Sequence, residues 1–279
     1  MKDQYCVMGN PVEHSKSPWI HQEFAQQTGQ TLEYMQKKIP LDKFDQYLDD
    51  FRRQGGKGVN VTVPFKIQAL EYVLKNAGAQ NCTERAKLAG AVNTIKCHED
   101  GGCFGDNTDG IGLVRDLINN LHWPIKNKQI LLLGAGGAVR GVMAPLLAEQ
   151  PKKIIIANRT LSKASELAKI FLNLGEVKAV GFEKLKEQQF DLIINGTSAN
   201  LNNETLLLPT EIIKADTYCY DMTYSDDLTP FLKWARAQNS GYLSNGLGML
   251  VEQAAEAFYL WRGVRPKTNT VLAKIKMCI

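Results

Sequence analysis

Long apolar runs are missing from this 279-residue sequence: none approaches the roughly 18 residues that a membrane-spanning helix needs. The opening Met1-Lys2-Asp3-Gln4-Tyr5 has no charged segment leading into an apolar one, so no secretory leader is expected. Cysteine is sparse and scattered. Cys6, Cys82, Cys97, Cys103, Cys219 and Cys278 include no C-x-x-C spacing, which in a chain this long reads as free thiols in a reducing compartment. The four histidines (14, 21, 98 and 122) form neither H-E-x-x-H nor a ligand cluster, so no metal is expected. Charge of one sign is lacking as well. Thirty-three basic residues against 29 acidic ones leave +4 with no basic run, which argues against a nucleic-acid partner. What is present, 44% hydrophobic and 22% charged residues, fits a cytoplasmic globular protein acting as monomer or homodimer on a small molecule.

Short apolar runs alternate with helix-period segments along the chain. Tyr5–Gly9, Leu32–Ile39, Val59–Val63, Ile130–Leu133, Lys153–Ala157, Phe190–Ile194 and Tyr218–Met222 read as strands; Pro18–Gln27, Leu41–Arg53, Gly110–Leu121, Val139–Glu149 and Leu161–Leu172 read as helices. This alternation predicts an α/β protein with mostly parallel sheets. The pattern breaks at His122-Trp123-Pro124 and again at Ser240–Gly248. Beyond the second break, Leu247, Leu250, Val251, Ala254, Phe258 and Trp261 recur at helical spacing, so a last amphipathic helix is expected to return to the first domain.

Gln129–Leu133 runs into Gly134-Ala135-Gly136-Gly137-Ala138 and then a helical segment. A strand, glycine turn and helix in that order offer backbone N–H groups and a helix N-terminus to a pyrophosphate. The third glycine of G-x-G-x-x-G is replaced by Val139. After the next strand stand Asn158-Arg159-Thr160, with Lys163 one turn on, where an NAD fold would place an acid on the ribose. Cations there suit the 2′-phosphate of NADP. Thr160 is expected both to cap its helix and to contact phosphate.

On the other side, Val59-Asn60-Val61-Thr62-Val63 alternates with period two, placing three valines on one face and Asn60 with Thr62 on the other, before Pro64 and Lys66. These polar groups and a lysine at one strand end make a plausible small-molecule site, although an ordinary half-buried strand fits the same pattern. Ser15 and Ser17 precede the first helix, with Ser17 before Pro18 reading as its N-cap. In Gly105-Asp106-Asn107-Thr108-Asp109-Gly110, Asp109 reads as a cap and Asp106 is left without a structural task. Gln253 borders the apolar stripe of the last long helix, as a junction residue or a substrate contact.

Taken together, these blocks resemble the shikimate dehydrogenase family in family order. The resemblance covers Gly9-Asn10-Pro11 with His14–Pro18, Asn60–Lys66, Ala89–Thr94, Gly105–Gly110, the Gly134–Ala138 turn with Asn158–Thr160, Tyr220-Asp221-Met222 and Gly246–Leu250. It implies an N-terminal α/β substrate domain (1–106 and 246–279) and a Rossmann-type NADP-binding domain (107–245). The implied reaction is reversible NADPH-dependent reduction of 3-dehydroshikimate. Ser15 and Ser17 would bind the substrate carboxylate, while Thr62, Asn93, Tyr224 and Gln253 would bind ring hydroxyls, with Asn60 nearby. Lys66 and Asp106 match the family's catalytic pair. Thr197, Met222 and Gly246 match positions near the nicotinamide, and Glu84 is a further cofactor candidate. Two departures stand out: Asn245 where the family usually has an acid, and Ala199-Asn200 where it often has Ser-Gly. The competing readings are a quinate/shikimate dehydrogenase with relaxed substrate or cofactor use, a non-catalytic NADPH-binding regulator, and a folate-pathway dehydrogenase of similar build.

Overall fold

The computed structural model describes residues 2–186, 188–197 and 207–277; the Ala199-Asn200 departure lies outside them. The chain divides into two compact units, Met1–Gly112 with Val251–Ile279, and Leu113–Leu250. Both crossings lie inside helices, six and five residues beyond the expected 106 and 246. Composition marks where such helices begin, whereas packing decides where along them one unit gives way to the other.

The first unit holds a five-stranded sheet of β1 (Asp3–Gly9), β2 (Leu32–Lys38), β3 (Gly58–Val61), β4 (Thr94–Cys97) and β5 (Cys103–Asp106) in the order β2-β1-β3-β4-β5. Its helices are α1 (Ser17–Thr28), α2 (Phe44–Arg53), α3 (Lys66–Ala77) and α4 (Glu84–Ala89). The β1 pairings to β2 and β3 are parallel, and those of β4 to β3 and β5 are antiparallel. The carboxyl ends of β1, β3 and β5 and the amino end of β4 therefore meet at one edge of the sheet. Asn60 is in register with Thr94, and Thr94 with Asp106.

α5 (Asp109–Arg115), extended by a π turn over Asp116–Asn120, leads into the second unit. There β6 (Gln129–Leu133), α6 (Gly137–Ala148), β7 (Lys153–Ala157), α7 (Leu161–Phe171), β8 (Val177–Val180), β9 (Leu192–Asn195), β10 (Tyr218–Asp221), α8 (Pro230–Ala237) and β11 (Tyr242–Asn245) follow in turn. The sheet order is β11-β10-β9-β6-β7-β8, and every pairing is parallel. This is a doubly wound Rossmann sheet with its switch point between β6 and β9. α9 (Leu247–Arg262) and α10 (Thr268–Met277) end the chain. Trp261 on α9 packs against the Tyr5 ring at 4.8 Å with a tilt of 31° and donates its indole N–H to Ile95 O at 2.9 Å. A Cβ on Gly58 would lie 2.5 Å from that indole nitrogen, so only glycine admits the helix so close.

Three local expectations are corrected. β3 ends at Val61, and Val63, past the strand, is 59% exposed; Val59, Asn60 and Val61 are all buried because the strand is central and covered on both faces. The helix expected from Leu41 starts at Phe44. The four-residue strands β4, β5, β8 and β11 are too short for a periodic signal, and helices α3, α4, α8 and α10 are further elements that the apolar pattern does not single out. Thr94-Ile95-Lys96-Cys97 and Cys103-Phe104-Gly105-Asp106, for example, carry one polar residue or more in four.

Candidate active site

At the sheet edge of the first unit the predicted polar residues converge. Lys66 begins α3 and its Nζ donates to Asp109 Oδ2 at 2.5 Å. Asn93, 3% exposed, donates from Nδ2 to Asp109 Oδ1 at 2.7 Å and accepts the Thr108 N–H at Oδ1. Asn60, also buried, donates to Thr94 Oγ1 at 3.0 Å and to Asn93 O, and its Oδ1 accepts the Tyr34 hydroxyl at 2.7 Å. Burial holds the Tyr34 phenol well above its ordinary pKa, with a hydrogen bond to Ser17 opposing, so the hydroxyl remains a donor. Thr62 is half-buried just past β3, and Thr108 Oγ1 reaches Gln253 Oε1 at 3.5 Å.

The expected pairing of Lys66 with Asp106 is not what the structure contains. Asp106, 1% exposed, gives its carboxylate to Arg85 through Nε at 2.8 Å and Nη2 at 2.5 Å, to Thr83 Oγ1 at 2.6 Å and to the Asn107 N–H. Burial opposes the Arg85 charge, but Asp106 and Glu256 outweigh it and raise the Arg85 pKa. The acid that faces Lys66 is Asp109, at the first turn of α5. Its carboxylate accepts from Lys66 and Asn93, and its own N–H is accepted by Asn107 Oδ1 at 3.2 Å. Two residues separate two acids of one motif, and the β5–α5 turn decides which of them points to the lysine. A useful sign lay in Asn107 and Thr108, which can close the turn themselves and release Asp109.

Ser17 is corrected as well. It is the first residue of α1, not its cap; Lys16 occupies the cap position and makes no side-chain cap bond. Ser15 Oγ accepts the Ser17 N–H at 3.3 Å, and the buried Ser17 hydroxyl turns inward toward Tyr34. One helical turn on, His21 is 1% exposed, stacked on Tyr34 at 4.3 Å and 7°, and neither ring nitrogen has a hydrogen-bond partner among the described residues. Burial lowers its pKa to about 3, with the Asn60 side chain opposing, so the ring is neutral.

The second unit carries the nucleotide candidates. Gly134, with φ of 105°, turns the chain at the end of β6, and Gly136 stands at the N-cap of α6 without a side-chain cap. A Cβ built on Gly136 or Gly137 would meet nothing within 4 Å. The exposed backbone of Gly136–Ala138 therefore leaves N–H groups of a 12-residue helix open to an anion at the switch point. The missing third glycine is compensated from the sheet: buried Val139 faces Gly196, where a Cβ would lie 2.6 Å from its Cγ2. Arg159, Thr160 and Lys163 are exposed beyond β7, the neighbour of β6. Thr160 holds the cap position of α7, but its hydroxyl makes no cap bond; Asn158 Nδ2 donates to its carbonyl. This donor set fits a pyrophosphate on the glycine turn and a phosphate beside Arg159. At the ends of β9 and β10, Asn195 Oδ1 accepts from both the N–H and hydroxyl of Thr197, and Gly246 approaches Met222 O so closely that a Cβ would lie 2.2 Å away. Tyr224 lies in this unit, in the turn after β10, its phenol pKa raised by burial. No group of three or more His, Cys, Asp or Glu among the described residues could hold a metal.

The sequence matches three domain families: the shikimate dehydrogenase substrate binding domain over residues 7–95, shikimate / quinate 5-dehydrogenase over 116–214, and the shikimate 5'-dehydrogenase C-terminal domain over 246–276. The chain belongs to the shikimate dehydrogenase family. Shikimate dehydrogenase (NADP(+)) of Cellvibrio japonicus is 53% identical over 276 residues, spanning 99% of this chain and 98% of that one. That of Hahella chejuensis is 55% identical over 274 residues, with 98% of each chain covered. Among solved structures, shikimate 5-dehydrogenase from Thermus thermophilus in complex with NADP(H) and shikimate superposes with a TM-score of 0.85 at 32% identity, covering 99% of this chain and 100% of that one. An Ael1 enzyme from Pseudomonas putida reaches a TM-score of 0.91 at 44% identity, with 98% of both chains covered.

Within this shikimate dehydrogenase family member, the Asn245 departure has a local account. Its Oδ1 accepts the Leu247 N–H at 3.1 Å, and its Nδ2 donates to Ser225 O at 2.9 Å, a bond no carboxylate could make. Glu84, expected near the cofactor, belongs to the first unit, where its exposed carboxylate accepts from Lys87 Nζ at 2.7 Å.

Proposed function

We propose that this chain catalyses the reversible NADPH-dependent reduction of 3-dehydroshikimate to shikimate, on the route to chorismate and the aromatic amino acids. The observation that carries the site reading is the Lys66–Asp109 pair, 2.5 Å apart and set at the edge where Asn60 and Asn93 meet. When bound, NADPH supplies the hydride; the chain supplies position, charge and the proton. As hydride reaches the ketone carbon, negative charge grows on the oxygen. A lysine ammonium at that oxygen stabilises the charge and gives up a proton to form the hydroxyl. Asp109 orients Lys66 and accepts a hydrogen bond from the reacting hydroxyl. Ser15 and Ser17 bind the carboxylate, while Asn60, Thr62, Asn93, Gln253 and Tyr224 bind ring hydroxyls. On the second unit, the Gly134–Ala138 turn holds the pyrophosphate, Asn158, Arg159, Thr160 and Lys163 hold the 2′-phosphate end, and Thr197, Met222 and Gly246 line the nicotinamide end.

A cytoplasmic setting agrees with free thiols at Cys6, Cys82, Cys97, Cys103 and Cys219, and no helix among the described residues is long and apolar enough to cross a membrane. The deciding experiment measures absorbance at 340 nm with shikimate and with quinate, each against NADP+ and NAD+. Turnover confined to shikimate with NADP+ is expected. Comparable rates with quinate or NAD+ would move the chain to the relaxed quinate/shikimate class, and no turnover with any pair would leave a binding protein.

A further inference from the structure

Four side chains behind the Lys66–Asp109 pair are joined in one line, and backbone groups fix its direction. The Thr108 N–H can only donate, so Asn93 presents Oδ1 to it at 2.9 Å and must turn Nδ2 toward Asp109. The Asn93 carbonyl can only accept, so Asn60 places Nδ2 on that side, where it also donates to Thr94 Oγ1 at 3.0 Å. Thr94, thus an acceptor, donates its own hydrogen to Asn93 Oδ1 at 2.9 Å. Asn60 Oδ1 is left needing a donor, and Tyr34 supplies it at 2.7 Å. Every bond from Tyr34 through Asn60, Thr94 and Asn93 therefore points the same way and ends on the Asp109 carboxylate. Asn60, Asn93 and Thr94 are 7%, 3% and 0% exposed, so water cannot replace a missing member. Aligned donors in a water-poor setting polarise one another.

We propose that Tyr34 and Thr94 are positioning residues for the reaction: the donor chain they complete fixes the Asn93 amide against Asp109, and so aims Asp109 at Lys66. Neither residue touches the reacting atoms, and no proton travels along the chain. The Thr108 N–H sets which way the Asn93 amide faces, and the Thr94 hydroxyl gives Oδ1 a second donor at 2.9 Å that holds the amide in place against Asp109. The inference rests on Lys66 and Asp109 being the acid–base pair. His21, stacked face to face on Tyr34, keeps the ring in place when its hydroxyl is removed.

The test is steady-state oxidation of shikimate with NADP+ by Thr94→Val, Thr94→Ser and Tyr34→Phe, each alone and in a Lys66→Ala background. Thr94→Val suits β4 as a β-branched residue and removes only the hydroxyl. It should lower kcat roughly three- to tenfold, the scale of one lost hydrogen bond, with KM for shikimate changed by less than about twofold. Thr94→Ser, which retains the hydroxyl, should recover most of the rate. With Lys66 already gone, neither Thr94→Val nor Tyr34→Phe should cost anything further, because the chain acts through that pair. Tyr34→Phe reads the same coupling from the half-buried end should Thr94→Val fold poorly. An unchanged kcat in both folded variants, or an equal loss with and without Lys66, would overturn the proposal. If Lys66→Ala alone keeps a normal kcat, the acid–base assignment falls and the proposal with it. If Lys66→Ala loses turnover while Thr94→Val and Tyr34→Phe do not, only the positioning role is lost.

Discussion

Lys66 Nζ sits 2.5 Å from Asp109 Oδ2, whereas Asp106, three residues earlier in the same motif, gives its carboxylate to Arg85. One acid faces the lysine, and the other ties the end of β5 to Arg85 and Thr83. Asp109→Asn should therefore lower kcat by about 10²–10⁴, the range for a positioned acid–base group, with little change in the denaturation midpoint. Asp106→Asn should destabilise by on the order of 3 kcal/mol, since it breaks a buried ion pair, and leave folded enzyme near its normal kcat. Urea titration and initial rates on both variants check this. A stable but inactive Asp106→Asn would return the catalytic role to Asp106.

Ser17 offers a second separation. Because it is the first residue of α1 and caps nothing, Ser17→Ala should raise KM for shikimate more than it lowers kcat, without the loss of about 1 kcal/mol that removing a cap brings. Ser15→Ala should show the same kinetic pattern. Thermal melts and saturation curves measure both; an unchanged KM in Ser15→Ala would place the carboxylate elsewhere.

His21 makes an acid-side prediction. Its folded pKa of about 3 lies below the roughly 6.5 of an unfolded histidine. Below pH 6.5 the unfolded chain takes up a proton that the folded chain refuses. The contribution of this group is therefore complete above pH 6.5 and falls by about 1.4 kcal/mol per pH unit as pH drops toward 3. His21→Phe, filling the same stacked space without nitrogens, should lose about 2 kcal/mol less than the parent between pH 6.5 and 5. Parallel slopes for the two proteins in urea titrations at those pH values would contradict this.

Much of the second unit was legible in sequence because its strands are buried on both faces and so read as plain apolar runs. Leu131-Leu132-Leu133 before a glycine turn and Ile154-Ile155-Ile156 before Asn158-Arg159 announced both strand and site. The first unit was harder. β4 and β5 are short, and their end residues Thr94 and Asp106 are polar groups serving a network, not a core. That network also hid which acid faces Lys66. An aspartate at the first turn of a helix looks like a cap, and only the three-dimensional turn shows Asn107 accepting the N–H while Asp109 faces Lys66. Tyr34 and Thr94 gave no signal, since a tyrosine and a threonine in strands are what β-propensity alone favours.

Arg159 bears on cofactor choice. Arg159→Ala should weaken NADP+ binding by about 1.5–3 kcal/mol, the worth of a charge-assisted hydrogen bond, and leave NAD+ binding nearly unchanged. Fluorescence titration with both dinucleotides reads the difference. Equal losses would make Arg159 a structural residue of the turn.

The central claim is that Lys66 stabilises charge and supplies the proton as the ketone is reduced. Initial rates of Lys66→Ala with shikimate and NADP+, on protein shown to be folded by its thermal melt, test it most directly. The account predicts kcat lower by about 10²–10⁴ with KM for shikimate little moved, because the contact matters most when charge develops on oxygen. A near-normal kcat in that variant would contradict it.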